Sequence, residues 1–380
     1  LWGSQPFKWD IPLTVTGFVL LRFIIKTNSG TSPAGWLCLW TVVCVWAAAA
    51  CSSRVWRPST YGQLQAAEAV LLNDGGLDVS KVQRRRVGGL HTITVHGGDP
   101  TAPALVLVHG FGGGGAIWFS SLSQLATRFS AVHSVDWYGI GQSAKPPTFP
   151  RNNPTAADAW FTSSMEDWRK ELGLPSMVLA GHSLGACLVT AYAAAHPNRV
   201  DHLVLASPAH GWDVADRYPT ASLFFKVFVG LWSRGFTPQG FVRWAGPLGP
   251  LLIRTFVRRR FSGITAAQQS HLAAYTYHLF ARSPSGEHAL NTVLKPGAVA
   301  RIPMQPRLVP DVIQAPLSVI YGDVERDWMD KGFGRGVVDA YKAAGGRAEL
   351  RFTPDAGHQL VIDNPAGFNK NVFECVLGGE

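Results

Sequence analysis

The segment around residue 183 constrains the fold of this chain more than any other. It reads MVLAGHSLGACLVTAYAAAHP, in which an apolar strand ends at Gly181, a short turn carries Ser183, and a helix begins at Gly185. A strand-to-helix turn this tight strains the backbone of its central residue, and a glycine two positions to either side avoids side-chain clashes. The segment therefore predicts a nucleophilic serine, Ser183, presented at the end of a strand.

A serine nucleophile needs a base within hydrogen-bond reach, and the base needs a carboxylate to orient it. In a fold with such a turn, the acid and then the histidine follow the serine along the chain. The C-terminal segment RFTPDAGHQLVIDNP places His358 just after a predicted strand, so His358 is the predicted base. A loop after an earlier predicted strand offers four carboxylates, one of which should orient the histidine: Asp323, Glu325, Asp327 and Asp330.

The glycine-rich segment LVLVHGFGGGG, residues 105–115, has two interpretations. In an acyl-transfer enzyme such a loop brings backbone N–H groups to the developing oxyanion, here those of Phe111 and of Leu184. The same segment fits G-x-G-x-x-G, with Asp136 about 20 residues further on, as in a dinucleotide-binding fold. That interpretation leaves the serine and His358 segments unexplained, so a dinucleotide-binding oxidoreductase is kept only as a remote alternative.

Beyond about residue 85, short apolar runs alternate with amphipathic stretches, which is typical of a mostly parallel sheet with crossover helices. The alternation stops between about Ala209 and Pro310, where an aromatic and basic sequence indicates an inserted helical cap. We therefore predict an α/β fold with a first core part at 61–208, a cap at 209–310 and a second core part at 311–380. The predicted strands are Ala104–Val108, Ala131–Val135, Met177–Ala180, His202–Ala206, Leu317–Tyr321 and Ala348–Phe352.

Residues 1–60 are predicted to be a hydrophobic membrane-anchoring segment with one or more helices. Thr27–Ser53 carries no charge, and Trp36–Ser53 would span about 27 Å as a helix, close to the thickness of a bilayer core. More positive charge follows this run than precedes it, Arg84–Arg86 included, which places the main domain on the cytoplasmic or equivalent face. A cleaved signal or transit segment is the alternative.

Composition narrows the choice of partner. Charged residues make up only 16% of the chain, yet the net charge is +9. Few charges with a positive excess favour an anionic membrane surface over nucleic acid. In the cap, Arg254 and Arg258–Arg260 stand beside Leu251, Phe256 and Phe261, which suits contact with an anionic bilayer, although a solvated basic helix face is the alternative. The His and Cys spacings predict no metal site and no cofactor.

Five segments together resemble the α/β-hydrolase superfamily: HGFGGG, DWYGIGQS, GHSLG, YGD with DWMD, and GHQLVIDNP. More narrowly, they resemble its branch of lysophospholipid acyltransferases, N-acylphospholipid lipases and a cardiolipin-specific phospholipase. The resemblance implies Ser183 as nucleophile, His358 as base and Asp327 as acid. Family members have a shorter YGDxDWM segment, so Asp323 stays an alternative acid. The branch also carries an H-x-x-x-x-D pattern linked to acyltransferase activity, which His358 and Asp363 match here, although Asp363 also reads as a helix N-cap.

The sequence thus predicts a membrane-associated serine hydrolase. Its substrates would be acyl esters or amides of glycerophospholipids, with water or a lysophospholipid resolving an acyl-enzyme. A noncatalytic lipid-binding coactivator or scaffold and a soluble small-ester hydrolase are the alternatives. The mitochondrion, the endoplasmic reticulum and the lipid droplet all fit the predicted membrane location.

Overall fold

A large β-sheet organises the protein. The computed structural model describes residues 59–209, 229–261, 263–282, 286–296, 298–324, 327 and 329–378. Its strands are β1 (Gln83–Val87), β2 (Leu90–His96), β3 (Leu105–Val108), β4 (Ala131–Val135), β5 (Met177–His182), β6 (Val200–Ala206), β7 (Leu294–Lys295), β8 (Val299–Ala300), β9 (Leu317–Gly322) and β10 (Ala348–Thr353).

Eight strands form one sheet in the order β1-β2-β4-β3-β5-β6-β9-β10, and β7 and β8 form a separate antiparallel pair. In the large sheet β2 is antiparallel to β1 and β4, whereas every other neighbouring pair is parallel. Strands β3, β5 and β9 are buried along their whole length, as expected where helices cover both faces of a parallel sheet. The predicted α/β class and mostly parallel sheet are confirmed.

Helices connect and cover these strands. Their bounds are α1 (Tyr61–Asp74), α2 (Phe119–Leu125), α3 (Pro154–Leu172), α4 (Leu184–Ala195), α5 (Pro238–Trp244), α6 (Gly249–Arg260), α7 (Ala266–Ala281), α8 (Glu287–Val293), α9 (Lys331–Ala343), α10 (Leu360–Asp363) and α11 (Pro365–Leu377). The sequence specifies the ends of α3 clearly. The Asn153 side chain accepts a hydrogen bond from Ala156 N–H, Pro154 fits the first turn, and Gly173 ends the helix at φ 75°.

Six strands were expected from the sequence, and all six are present with ends within two residues of the predicted ones. Strands β1 and β2 of the large sheet and the short pair β7 and β8 were not predicted. Strand β1 reads QRRRV, a charged run that indicates no strand by hydrophobic pattern. It forms the edge of the sheet, where charged side chains protect against unwanted pairing. Arg84–Arg86 therefore belongs to the folded domain: Arg86 Nε donates to the Gln142 carbonyl at 2.7 Å.

Between β6 and β9 the chain leaves the large sheet. The described part of this stretch contains α5 to α8 and the β7–β8 pair. Helix α7 lies over the glycine-rich loop, where Ala116 N–H donates to the Tyr275 hydroxyl at 3.4 Å and a Cβ on Gly112 would lie 3.0 Å from the Phe280 ring. These elements occupy the place of the predicted cap, whose boundaries at 209 and 310 stay a prediction.

The predicted membrane-anchoring segment lies almost wholly outside the described residues, which begin at Ser59. Within the described part of the chain, no helix is both long enough and apolar enough to cross a membrane. Helix α1 is the first described element, and the Thr60 side chain caps it by accepting a hydrogen bond from Gln63 N–H at 3.2 Å.

Candidate active site

The turn after β5 holds Ser183 in a strained conformation. Its φ of 55° and ψ of −117° lie in a region that L-residues rarely occupy. A Cβ on Gly181 would lie 2.6 Å from the Gly185 carbonyl oxygen, and a Cβ on Gly185 would lie 2.6 Å from the Val108 carbonyl oxygen. Only glycine fits at these two positions, so the GHSLG sequence produces the sharp turn that presents the serine.

The fold brings Ser183, His358 and Asp327 together. The distance from His358 Nε2 to Ser183 Oγ is 3.1 Å, and Nδ1 of the same ring lies 3.5 Å from Asp327 Oδ1. The second distance is long for a hydrogen bond, and contacts of this kind shorten as charge develops on the ring. Ser183 is 8% exposed and His358 is 4% exposed, so the charge would develop away from bulk water.

Two residues that the sequence analysis did not select position the base and the acid. His182 Nε2 donates to the His358 carbonyl oxygen at 2.8 Å, which fixes the backbone of the base. The Ser207 hydroxyl donates to Asp327 Oδ2 at 2.6 Å, and Gly322 N–H donates to the same oxygen at 2.9 Å. Only one weak sequence feature marks His182 and Ser207: each lies at the carboxyl end of a predicted strand, where parallel strands gather functional groups.

Burial and charge set the protonation states. Burial is the largest influence on His358 and lowers the pKa of its imidazole, although the Asp327 carboxylate acts in the opposite direction. Burial alone would raise the pKa of Asp327, but contacts with His358, Ser207 and Gly322 outweigh it and hold that pKa below its ordinary value. Burial, followed by the charge of His358, lowers the pKa of His182 to about 3. At neutral pH the site therefore holds an ionised acid and a neutral base, as proton abstraction requires.

The glycine-rich loop borders the serine. A Cβ on Gly110 would lie 2.9 Å from Ser183 Cβ, so Phe111 follows directly on the residue that faces the nucleophile. Leu184 opens α4 directly after Ser183. The two predicted oxyanion amides, of Phe111 and Leu184, thus belong to the two segments that flank the hydroxyl. Their role stays a prediction.

The Asp136 carboxylate holds the glycine-rich loop in place. Its buried carboxylate accepts hydrogen bonds from Gly115 N–H at 2.6 Å and from Gln142 N–H at 2.8 Å. The acidic residue that a dinucleotide-binding interpretation reserves for a ribose is therefore engaged inside the protein, where it ties two loops together.

The other candidate carboxylates lie elsewhere. Asp323 is exposed, and the side chain of Asp330 caps α9 by accepting from Gly332 N–H at 2.9 Å. Glu325 falls outside the described residues. Asp363 is not the predicted N-cap: it ends α10, and its Oδ2 accepts from Gly357 N–H at 2.9 Å. The N-cap of α11 is Asn364, because its side chain reaches Gly367 N–H at the start of the helix.

Comparison with known proteins gives the family. A family profile described as the alpha/beta hydrolase fold matches residues 103–365. The chain belongs to the α/β-hydrolase family. A solved α/β structure, carboxylesterase CesB from Bacillus subtilis, has the same fold with a TM-score of 0.58 at 18% sequence identity, covering 84% of this chain and 99% of its own.

Two curated relatives place this α/β-hydrolase more narrowly. A probable 1-acylglycerol-3-phosphate O-acyltransferase of Oryza sativa subsp. japonica is 33% identical, over 75% of this chain and 70% of its own length. A (lyso)-N-acylphosphatidylethanolamine lipase of Homo sapiens is 34% identical, over 74% of this chain and 82% of its own length. Acyltransferase and N-acylphospholipid lipase are two of the three activities that the sequence resemblance implied, so the expected branch of α/β-hydrolases is confirmed.

Proposed function

We propose that this α/β-hydrolase is a membrane-associated serine hydrolase that cleaves acyl esters or amides of glycerophospholipids. The contact between Ser183 Oγ and His358 Nε2, backed by buried Asp327, carries the proposal. This arrangement activates a serine hydroxyl for attack on an acyl carbonyl. The name of one relative, a (lyso)-N-acylphosphatidylethanolamine lipase, supports a phospholipid as the acyl donor. The name of the other, a 1-acylglycerol-3-phosphate O-acyltransferase, supports a lysophospholipid as an acyl acceptor.

In the proposed reaction Ser183 Oγ attacks the acyl carbonyl carbon while His358 Nε2 takes the hydroxyl proton. The Phe111 and Leu184 amides would hold the resulting oxyanion. The imidazolium then gives its proton to the departing alcohol or amine, which leaves an acyl group on the serine. Water resolves this acyl-enzyme to a fatty acid, or the hydroxyl of a lysophospholipid takes the acyl group, with His358 again removing the attacking proton. Transfer then needs no second site, and Asp363 supports the Gly357–His358 loop in either case.

A fluorophosphonate probe tests the nucleophile. The activated serine displaces fluoride from the probe and becomes covalently phosphonylated, so wild-type protein should be labelled at Ser183 and the Ser183→Ala variant should not. Ser121→Ala is the matched control, because Ser121 is also buried but its hydroxyl has no hydrogen-bond partner among the described residues. An unlabelled wild type would favour the noncatalytic scaffold, and equal labelling of Ser183→Ala would show that Ser183 is not the nucleophile. Labelling with turnover of short esters only would favour the soluble small-ester hydrolase.

The exposed surface of the cap supports contact with a bilayer. Trp244 is 61% exposed and Leu251 is 60% exposed, and both belong to adjoining helices α5 and α6. Arg254 and Arg258 follow Leu251 at helical spacing and are also exposed. Phe261, which was expected on this surface, is instead 4% exposed and packs into the core. Apolar side chains beside exposed arginines suit the interface of an anionic membrane.

Replacing both Trp244 and Leu251 with serine should weaken binding to anionic vesicles by about 100-fold or more, because insertion of each side chain contributes about 1.5 kcal/mol or more. Flotation with phosphatidylserine-containing vesicles measures this, for the full chain and for a chain lacking residues 1–58. Phe352→Ser is the control, since Phe352 is 40% exposed but lies on β10. If the control and the double variant float equally well in the shorter chain, this surface is not the membrane contact.

A further inference from the structure

A cationic cleft opens beside the buried nucleophile. It lies between the glycine-rich loop, the loop that follows β4 and the cap helices. Its empty volume is about 410 Å³, a figure that includes the open solvent at its mouth. Its lining residues are Gly112, Gly113, Gly139, Ile140, Gly141, Lys145, Gln239, Leu279, Phe280, Arg282, Glu287 and Leu290.

The cleft is close to the reacting serine. Gly112 and Gly113 form part of its wall, and they follow Gly110, which faces Ser183. Successive Cα atoms are 3.8 Å apart, so the wall begins within about 8 Å of Gly110. A group attached through a glycerol or ethanolamine unit to a carbonyl at Ser183 can therefore reach this cleft.

Positive charge dominates the cleft. Among the described lining residues only Glu287 is acidic, and it is ion-paired: Arg243 donates to both its carboxylate oxygens, at 2.5 and 3.0 Å, and the Thr237 hydroxyl donates at 2.7 Å. Two cations, Lys145 and Arg282, also line the cleft. Arg282 is held at the wall by stacking on the Tyr61 ring, with its guanidinium carbon 5.1 Å from the ring centroid.

Arg282 also presents an unsatisfied donor. Its Nη1 is buried and has no hydrogen-bond partner among the described residues. A buried charged donor without an acceptor costs free energy, which an anionic oxygen in the cleft would recover. Partial burial lowers the pKa of Lys145 to about 8; the charge of Arg282 acts in the same direction, whereas the Glu287 carboxylate opposes it.

We propose that this cleft binds the phosphate of the lipid substrate, with Arg282 and Lys145 as its cationic ligands. The inference rests on the proposed function, because it assumes that an acyl carbonyl lies at Ser183. The fork of the Arg282 guanidinium suits bidentate contact with two phosphate oxygens, and Lys145 supplies a point charge at the mouth. The head group and the acyl chain would then lie on different sides of the glycine-rich loop, and the phosphate would help to orient the carbonyl.

Paired substrates test the proposal. Phosphatidic acid and the diacylglycerol with the same acyl chains, each in neutral detergent micelles, differ only by the phosphate. Arg282→Gln and Lys145→Gln should each lower kcat/KM for phosphatidic acid about 10- to 100-fold, the range expected for a charge-assisted hydrogen bond. Hydrolysis of diacylglycerol should fall much less. Arg282→Lys, which keeps the charge but loses the fork, should give an intermediate loss for phosphatidic acid.

Arg335→Gln and Lys342→Gln are the matched controls, because both side chains are exposed on α9. Equal losses on both substrates, or no loss on phosphatidic acid, would overturn the phosphate site. Competitive inhibition by inorganic phosphate that Arg282→Gln abolishes, with no change in the preference for phosphatidic acid, would also overturn it, since the cleft would then bind free phosphate. Failure of the proposed function looks different: neither substrate releases fatty acid, and a fluorophosphonate does not label Ser183.

Discussion

Replacing Asp327 with asparagine should lower kcat about 10⁴-fold, whereas Asp323→Asn should leave kcat within about threefold of wild type. Ser207 O–H and Gly322 N–H both donate to Asp327 Oδ2, so the asparagine oxygen will take that position and turn its NH₂ group towards His358. The imidazole must then accept at Nδ1, which moves its proton to Nε2. In that tautomer it cannot take the proton of Ser183.

The measurement is steady-state turnover of one phospholipid in detergent micelles at pH 7 to 8, for both variants and wild type. Labelling of Asp327→Asn by a fluorophosphonate should slow together with its turnover. Urea unfolding shows whether this variant is folded. Asp323→Asn is a demanding control, because both residues come from the same loop and only one is buried. A loss of less than tenfold for Asp327→Asn, or an equal loss for Asp323→Asn, would place the acid elsewhere.

The three residues of the proposed catalytic site differ in how well the sequence predicts them. Ser183 and His358 are 175 positions apart, yet both could be selected from local patterns at the carboxyl ends of strands. The acid could not be chosen from the residue pattern alone, because several carboxylates share one loop. Burial and side-chain orientation distinguish Asp327 from the other carboxylates of the loop. Both depend on how the loop packs against Ser207, which is 120 positions away from Asp327.

The missed features have a common physical reason. Strand β1 is held by pairing with β2 at the edge of the sheet, so its charged sequence carries no hydrophobic pattern to reveal it. The link from His182 to the His358 carbonyl and the meeting of Lys145 with Arg282 in one cleft are likewise contacts between distant segments. No spacing within either segment encodes such a contact.

The positive excess noted in the sequence now divides into groups with different structural roles. Arg84 and Arg86 hold the edge strand, since Arg84 lies 3.5 Å from buried Glu68 and Arg86 bonds the Gln142 carbonyl. Arg243 neutralises Glu287 inside the cap. The cations facing the cleft and the outer surface of α6 are the ones that we propose meet an anionic lipid. Charge at those positions should affect substrate preference and membrane binding, whereas charge at Arg84 and Arg243 should affect stability.

Replacing Trp118 with alanine should lower the free energy of unfolding by about 3–5 kcal/mol, whereas Trp118→Phe should lower it by about 1–2 kcal/mol. Trp118 is fully buried behind the active site, with its ring edge-on to His182 at 6.4 Å and tilted against Phe368 at 5.8 Å. Alanine leaves a cavity between the strand that presents the nucleophile and the C-terminal helix α11. Phenylalanine keeps most of the packing, and loss of Nε1 costs little because that atom has no hydrogen-bond partner among the described residues.

Urea unfolding measures the stability difference, and the rate of fluorophosphonate labelling reports on the site in the same samples. Because His182 holds the His358 carbonyl, a cavity beside the His182 ring should loosen the base and slow labelling in the alanine variant. The phenylalanine variant should label at nearly the wild-type rate. Equal stability losses in the two variants would mean that the indole nitrogen, not the ring volume, stabilises this region. Unchanged labelling in a destabilised alanine variant would show that the His182 contact holds the base without support from Trp118.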